Sequence, residues 1–112
     1  MSWEYSKSNK YKNRRTEYNG VMYDSKREAE VARDLDILVR AKEIKEYKRQ
    51  VTFNLYGINN GFICNHRVDF VVTNNDGSKV VWEVKGIETK DWIIKKKLFE
   101  DNYPYMKYIV IK

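Results

Sequence analysis

Arg67-Val68-Asp69-Phe70-Val71-Val72 and, after a polar interval, Val80-Val81-Trp82-Glu83-Val84-Lys85-Gly86 form the stretch whose pairing decides the fold. Two β-branched runs flank Asn74-Asn75-Asp76-Gly77, the composition of a hairpin turn. A three-residue loop, Asn75-Asp76-Gly77, with Gly77 in the left-handed conformation, sets Asn74 against Ser78. Counting outward, Val72 then faces Val80 and Asp69 faces Glu83. Side chains alternate along a strand, so Lys85 shares the face of the two acids. A four-residue loop would break this parity unless a bulge restored it.

Directly opposed residues hold their Cβ atoms about 5 Å apart. Two carboxylates at that distance repel by roughly 3 kcal/mol at an effective dielectric near 20. Lys85 offsets part of that cost; a divalent cation offsets all of it. Hard oxygen ligands suit Mg²⁺, which binds through one or two carboxylates and keeps waters for a phosphate substrate. A solvated charge cluster on a hairpin face satisfies the same spacing.

The chain has 112 residues, the length of one domain with a thin core. Lys and Arg number 22 against 16 acids, giving a net charge of +6. That balance favours a polyanionic partner. The single cysteine, Cys64, excludes an internal disulfide and fits a reducing, cytoplasmic compartment. Cys64 and His66 are too few for a zinc site. No apolar run reaches membrane-spanning length, and Met1-Ser2-Trp3-Glu4 does not begin a signal peptide.

Residues 1–17 read as a basic arm, and residues 18–112 as one domain. Lys7, Lys10, Lys12, Arg14 and Arg15 are interleaved with Tyr5 and Tyr11 in the arm. They suit phosphate contacts and base stacking, and equally a disordered terminus. Asn19-Gly20 marks a turn before a short strand, Val21 to Tyr23. Asp24 or Ser25 then caps a helix that runs to about Lys42, and Ser25 with Glu28 has capping-box spacing. Its apolar stripe is Val31, Ala32, Leu35, Leu38 and Val39. Glu28 falls on that stripe, where a carboxylate needs a partner or a metal, unless it only closes the capping box. Glu30 lies on another face and is the weaker candidate.

Strands are expected over Arg49 to Tyr56, with Val51, Phe53 and Leu55 on one side, and over Phe62 to Thr73. In a regular strand His66 faces away from Asp69, which makes it a packing or solvent-facing residue. Thr89 caps a second helix, Lys90 to Asn102, with Trp92, Ile94, Leu98 and Phe99 as core contacts and Lys95-Lys96-Lys97 as a basic run. Met106 to Ile111 reads as a last, interior strand. The order β-α-β-β-β-α-β makes an α/β (α+β) fold, a mixed central sheet flanked by helices.

Glu28, Asp69 and Glu83-Val84-Lys85 together resemble the PD-(D/E)XK nuclease superfamily, the restriction-endonuclease-like fold. That motif places an Asp late in one strand and (Asp/Glu)-x-Lys in the next, often with a Glu on the first helix. More widely, Lys10-Tyr11-Lys12, Gly20, Tyr23-Asp24-Ser25-Lys26 with Glu28-Ala29, Val68-Asp69-Phe70-Val71, Val84-Lys85-Gly86, Thr89 and Lys95-Lys96-Lys97-Leu98-Phe99 resemble small phage and prophage endonuclease-like proteins. Val68 stands where the superfamily's name has Pro.

The resemblance implies a Mg²⁺-dependent endodeoxyribonuclease of phage DNA recombination, a phosphodiester hydrolase with Mn²⁺ able to substitute. It implies that Asp69, Glu83 and the Val84 carbonyl bind the metal, that Lys85 acts on water or phosphate, and that Glu28 holds a second metal or a water. Lys95 and Lys97 are expected on phosphates near the cut. Branched DNA, as for a Holliday junction resolvase, is the expected substrate, cut by a homodimer without a small-molecule cofactor. A non-catalytic nucleic-acid-binding module or a regulatory phage protein is the competing expectation.

Overall fold

The computed structural model describes residues 14–112. The chain divides into two compact units, one ending at Arg40 and one spanning Ala41–Lys112.

The first unit is a hairpin and a helix. Strands β1 (Thr16–Tyr18) and β2 (Val21–Tyr23) pair antiparallel, with Tyr18 opposite Val21. Asn19 and Gly20 between them have φ of 52° and 80°. Two successive positive φ values make the turn whose twist matches a hairpin, and Asn-Gly is the pair that adopts it. β1 takes Thr16 and Glu17 out of the stretch read as an arm. Its partner is β2, so its own three residues carry no periodic signal.

Helix α1 (Lys26–Arg40) starts on Ser25, whose Oγ accepts from the Glu28 amide at 3.1 Å. This satisfies one of the amides that a helix start leaves unpaired. Ala29, Val31, Ala32 and Leu35 are buried, while Leu38 and Val39 are half-buried. The Tyr18 hydroxyl donates to Asp36 Oδ2 at 2.6 Å and ties β1 to α1.

The second unit carries β3 (Glu46–Tyr56), β4 (Phe62–Thr73), β5 (Lys79–Val84), α2 (Lys90–Asn102) and β6 (Lys107–Ile111). The sheet order is β3-β4-β5-β6; the first three strands run antiparallel in sequence and β6 lies parallel to β5. A parallel neighbour requires a crossover, and α2 supplies it. Leu55, Val68, Val71, Val81, Phe99 and Met106 form the core, with Val51, Phe53 and Tyr108 packed against it. Phe99 is fully buried, with ring centroids 4.9 Å from Phe53 and 5.3 Å from Tyr108. Truncating such a residue to Ala costs about 3–5 kcal/mol.

Two sequence expectations change here. Ile94 is 64% exposed and does not pack in the core. The inward face of α2 is Trp92, Lys95, Lys96 and Phe99, spaced three and four apart, and Ile94 falls outside that phase. β6 is an edge strand, with Ile109 42% exposed, because among the described residues its other side has no neighbour in the sheet. No described helix is long and apolar enough to cross a membrane.

Candidate active site

The β4–β5 hairpin closes as its turn chemistry dictates. Asn74 donates to the Ser78 carbonyl at 2.8 Å, Gly77 donates to the Asn74 carbonyl at 2.9 Å, and Gly77 has φ 90°. Val72 pairs with Val80 and Phe70 with Trp82. One step further along that register stand Asp69 and Glu83. Asp69 Oδ2 accepts the Val84 amide at 2.9 Å. On the other side of β5, the Lys85 amide donates to Ile111 O at 2.9 Å. Amide and carbonyl of one extended residue point the same way and alternate along the strand. The Val84 carbonyl is therefore on the Asp69 side, beside the carboxylates.

Glu83 is only 5% exposed. Its Oε1 accepts from the Tyr108 hydroxyl at 2.6 Å and from Trp92 Nε1 at 3.5 Å. His66 Nε2 lies 2.8 Å from the Tyr108 oxygen and 3.8 Å from Glu83 Oε1. Since the tyrosine proton goes to the carboxylate, its oxygen accepts from the imidazole, which assigns the His66 proton to Nε2. The result is a chain from His66 through Tyr108 to Glu83, which stands across the hairpin from Asp69.

Burial and the neighbouring Asp69 charge push the Glu83 carboxyl up to about 7, and the Tyr108 hydrogen bond softens the effect. Burial, with the charges of Lys95 and Lys85, pulls His66 down to about 4. Burial and the Glu83 carboxylate raise the Tyr108 phenol above its usual range. At the pH where His66 takes a proton, Glu83 is already neutral. The 3.8 Å approach between them is therefore not an ion pair, although its length alone would permit one.

His66 was expected to face away from Asp69, and it does not. Val51 pairs with Val68 and Arg49 with Phe70, and between them Gln50, at φ 55°, stands opposite Asp69 without a ladder pair. Val68 and Val71 consequently share one core, and Tyr47 packs on Phe70, with ring centroids 5.9 Å apart. The alternation shifts by one residue at this point in both strands. It carries Cys64, His66 and Val68 onto the face of Asp69, Val71 and Glu83. Tyr108 and Trp92 were also missed as site residues. The 25-residue separation of Tyr108 from Glu83 leaves no local signal; Trp92, one turn behind a capping Thr89, offered a weak one.

Lys85 is half-buried, with Nζ 5.7 Å from the centre of the Trp92 ring. Of the basic run, Lys95 is half-buried and its charge acts on His66. Lys96 Nζ pairs with Glu100 at 2.9 Å and lies 5.1 Å from the Tyr108 ring centre. Lys97 is exposed and lies off this helical face. Glu28 belongs to the first unit, half-buried in the first turn of α1. Glu30 there pairs with Arg27 at 3.3 Å. Arg14 and Arg15 are exposed, while Lys7, Lys10 and Lys12 lie outside the described residues.

Among the described residues there is no group of three or more His, Cys, Asp or Glu side chains able to hold a metal ion. The Asp69 and Glu83 carboxylates lie together, and the Val84 carbonyl points from the same edge of β5. These are hard oxygens, and two carboxylates suffice for a Mg²⁺ that shares its remaining positions with water and phosphate. The donor set therefore fits that ion in kind and number.

A family model described as "Protein of unknown function (DUF1064)" matches residues 8–112, and the chain belongs to that family. No curated protein and no solved structure gives a significant match.

Proposed function

We propose that this member of the DUF1064 family is a metal-dependent endodeoxyribonuclease of the PD-(D/E)XK kind, acting on branched DNA. The observation that carries the reading is the meeting of Asp69 and Glu83 one step beyond the Phe70–Trp82 pair, where the Asp69 charge acts on Glu83, with Lys85 just past the end of β5. Two carboxylates forced together at the margin of a buried network are electrostatically costly without a cation. Asp69, Glu83 and the Val84 carbonyl would hold Mg²⁺, or Mn²⁺ in its place. When bound, such an ion neutralises charge on the scissile phosphate and makes water a better nucleophile at neutral pH.

The chain's own residues do the rest. Tyr108 and Trp92 fix the rotamer of Glu83, and His66 fixes Tyr108, so the carboxylate is aimed before any ligand arrives. The Val84 amide holds Asp69 in the same way. Lys85, steadied against the Trp92 ring, brings an ammonium to the attacking water or to charge developing on the phosphate. Lys95 brings a second positive charge to the same face and suits an adjacent phosphate. The net charge of +6 draws the polyanion in.

The test is cleavage of labelled four-way junction, flap and linear duplex DNA in Mg²⁺, comparing the parent chain with Asp69→Asn. Asparagine keeps an oxygen for the Val84 amide, so the variant should fold and fail to cut. A parent that cuts none of the three, or a variant that cuts at the parent's rate, would sink this reading.

A further inference from the structure

Gln50 stands in the interior of β3 with a φ of 55°. Left-handed backbone is costly for a residue with a Cβ, and a strand has no ordinary use for it. Among the described residues, three others that are not glycine share this conformation. Asn19 and Asn60 lie between the strands of hairpins, and Lys42 follows the end of α1. Asn tolerates that region well, and helices commonly end in it. Neither reason applies to Gln50.

The site explains where this residue falls. Val51 pairs with Val68 and Lys48 with Val71, the two core valines, while Arg49 pairs with Phe70 outside that core. The extra residue of each strand is therefore Gln50 on β3 and Asp69 on β4, set against each other. Asp69 in turn acts on Glu83. Gln50, Asp69 and Glu83 thus form one row across three strands. Opposed residues hold their Cβ atoms about 5 Å apart, and Gln carries its carboxamide two methylenes further, within reach of a group that the acids hold. Gln50 is half-buried, and its carboxamide hydrogen-bonds no other described residue.

We propose that Gln50 is a further catalytic residue, whose carboxamide Nε2 donates to a non-bridging oxygen of the phosphate under attack. The inference rests on the nuclease reading and adds to it a donor from a third strand. In the hydrolysis a water oxygen bonds to phosphorus, the bond to the leaving sugar oxygen breaks, and a water proton ends on that oxygen. Negative charge shifts among the phosphate oxygens on the way, and a donor already aimed at them stabilises it. An amide suits this position. A third carboxylate would add to the repulsion between Asp69 and Glu83, and a cation would compete with the metal for them. The left-handed backbone then has a use. Val51 faces the core, so in a regular strand Gln50 would face away from it. The irregularity turns position 50 toward the acids at the cost of strain.

The test is single-turnover cleavage of a four-way junction at saturating protein in Mg²⁺, with binding measured in Ca²⁺. Gln50→Met keeps the length and stem of the side chain and removes its hydrogen bonds. It should melt at the parent's temperature, bind the junction like the parent, and cut about 10- to 100-fold more slowly, the worth of one hydrogen bond to a charged group. Gln50→Gly frees the backbone in a conformation that glycine adopts readily, so it should melt at or above the parent's temperature and yet cut as slowly as Gln50→Met. Asn60→Gly, with the same relief in the β3–β4 turn, should cut at the parent's rate. A parent that cuts, with Gln50→Met within a few-fold of it, overturns this inference and leaves the nuclease reading standing. So does a Gln50→Met chain that loses binding in Ca²⁺ but no rate. A parent that cuts no DNA overturns both.

Discussion

Replacing Glu83 by Gln should stabilise the metal-free protein, and the size of the gain should depend on pH in a way that identifies the site. Gln keeps an oxygen for the Tyr108 hydroxyl and the Trp92 indole, and its amide can donate to Asp69. What it removes is a buried carboxyl whose folded-state pKa of about 7 stands above the ordinary value of 4.5. The folded protein holds that proton more tightly than the unfolded chain does. Its contribution is therefore fully present below pH 4.5 and is lost as pH rises through 7. The difference is worth about 3 kcal/mol at pH 8.

His66 works in the opposite sense. Its folded pKa of about 4 lies below 6.5, so its contribution is present above pH 6.5 and is lost as pH falls toward 4. In the parent the two slopes oppose each other between pH 4.5 and 6.5, and the stability profile there should be nearly flat. In Glu83→Gln only the His66 slope survives, and stability should climb with pH. Thermal melts in excess chelator at pH 4.5, 6 and 8 read this directly. The expected gain is roughly 10 °C at pH 8, taking about 4 °C per kcal/mol for a chain of this size, and close to nothing at pH 4.5. A variant no more stable than the parent at pH 8, or equally favoured at pH 4.5, would refute the account of Glu83 as a buried carboxyl strained by Asp69.

Lys85→Met should fold and bind junction DNA in Ca²⁺ like the parent but cleave it about 100- to 1000-fold more slowly in single-turnover assays with Mg²⁺. If it cuts within a few-fold of the parent, Lys85 is not catalytic. Tyr108→Phe strips a donor from Glu83 and an acceptor from His66, both buried, and should cost about 1–3 kcal/mol in urea unfolding without metal; an unchanged midpoint would show that the hydroxyl is not holding the network. Deleting residues 1–15 should weaken DNA binding and flatten the dependence of log affinity on log salt, because fewer counterions are released. An identical slope would make the arm a bystander.

Much of the site was legible before any coordinate. Asn75-Asp76-Gly77 specifies its own turn, because only the loop length and the left-handed Gly77 are needed to set the register of β4 on β5. From that register the pairing of Val72 with Val80, and hence Asp69 opposite Glu83, follows by counting. Ser25 with Glu28, Asn19-Gly20 and Thr89 are equally local, since a cap or a two-residue turn involves only neighbours in the chain.

The surroundings of Glu83 were decided by the tertiary structure. Alternation along β4 is a rule about an undisturbed strand, and the disturbance falls where Gln50 of the neighbouring strand, at φ 55°, stands opposite Asp69, which no residue of β4 announces. That one irregularity turns His66 from a bystander into a member of the buried network. Tyr108 reaches Glu83 only because α2 crosses over and lays β6 parallel to β5, with Val81 opposite Tyr108. The same crossover sets the rotation of α2, burying Trp92 and exposing Ile94. Period and turn chemistry fix what lies across a hairpin. The burial of Glu83, and the pKa that follows from it, depend on which distant strand and helix close over it.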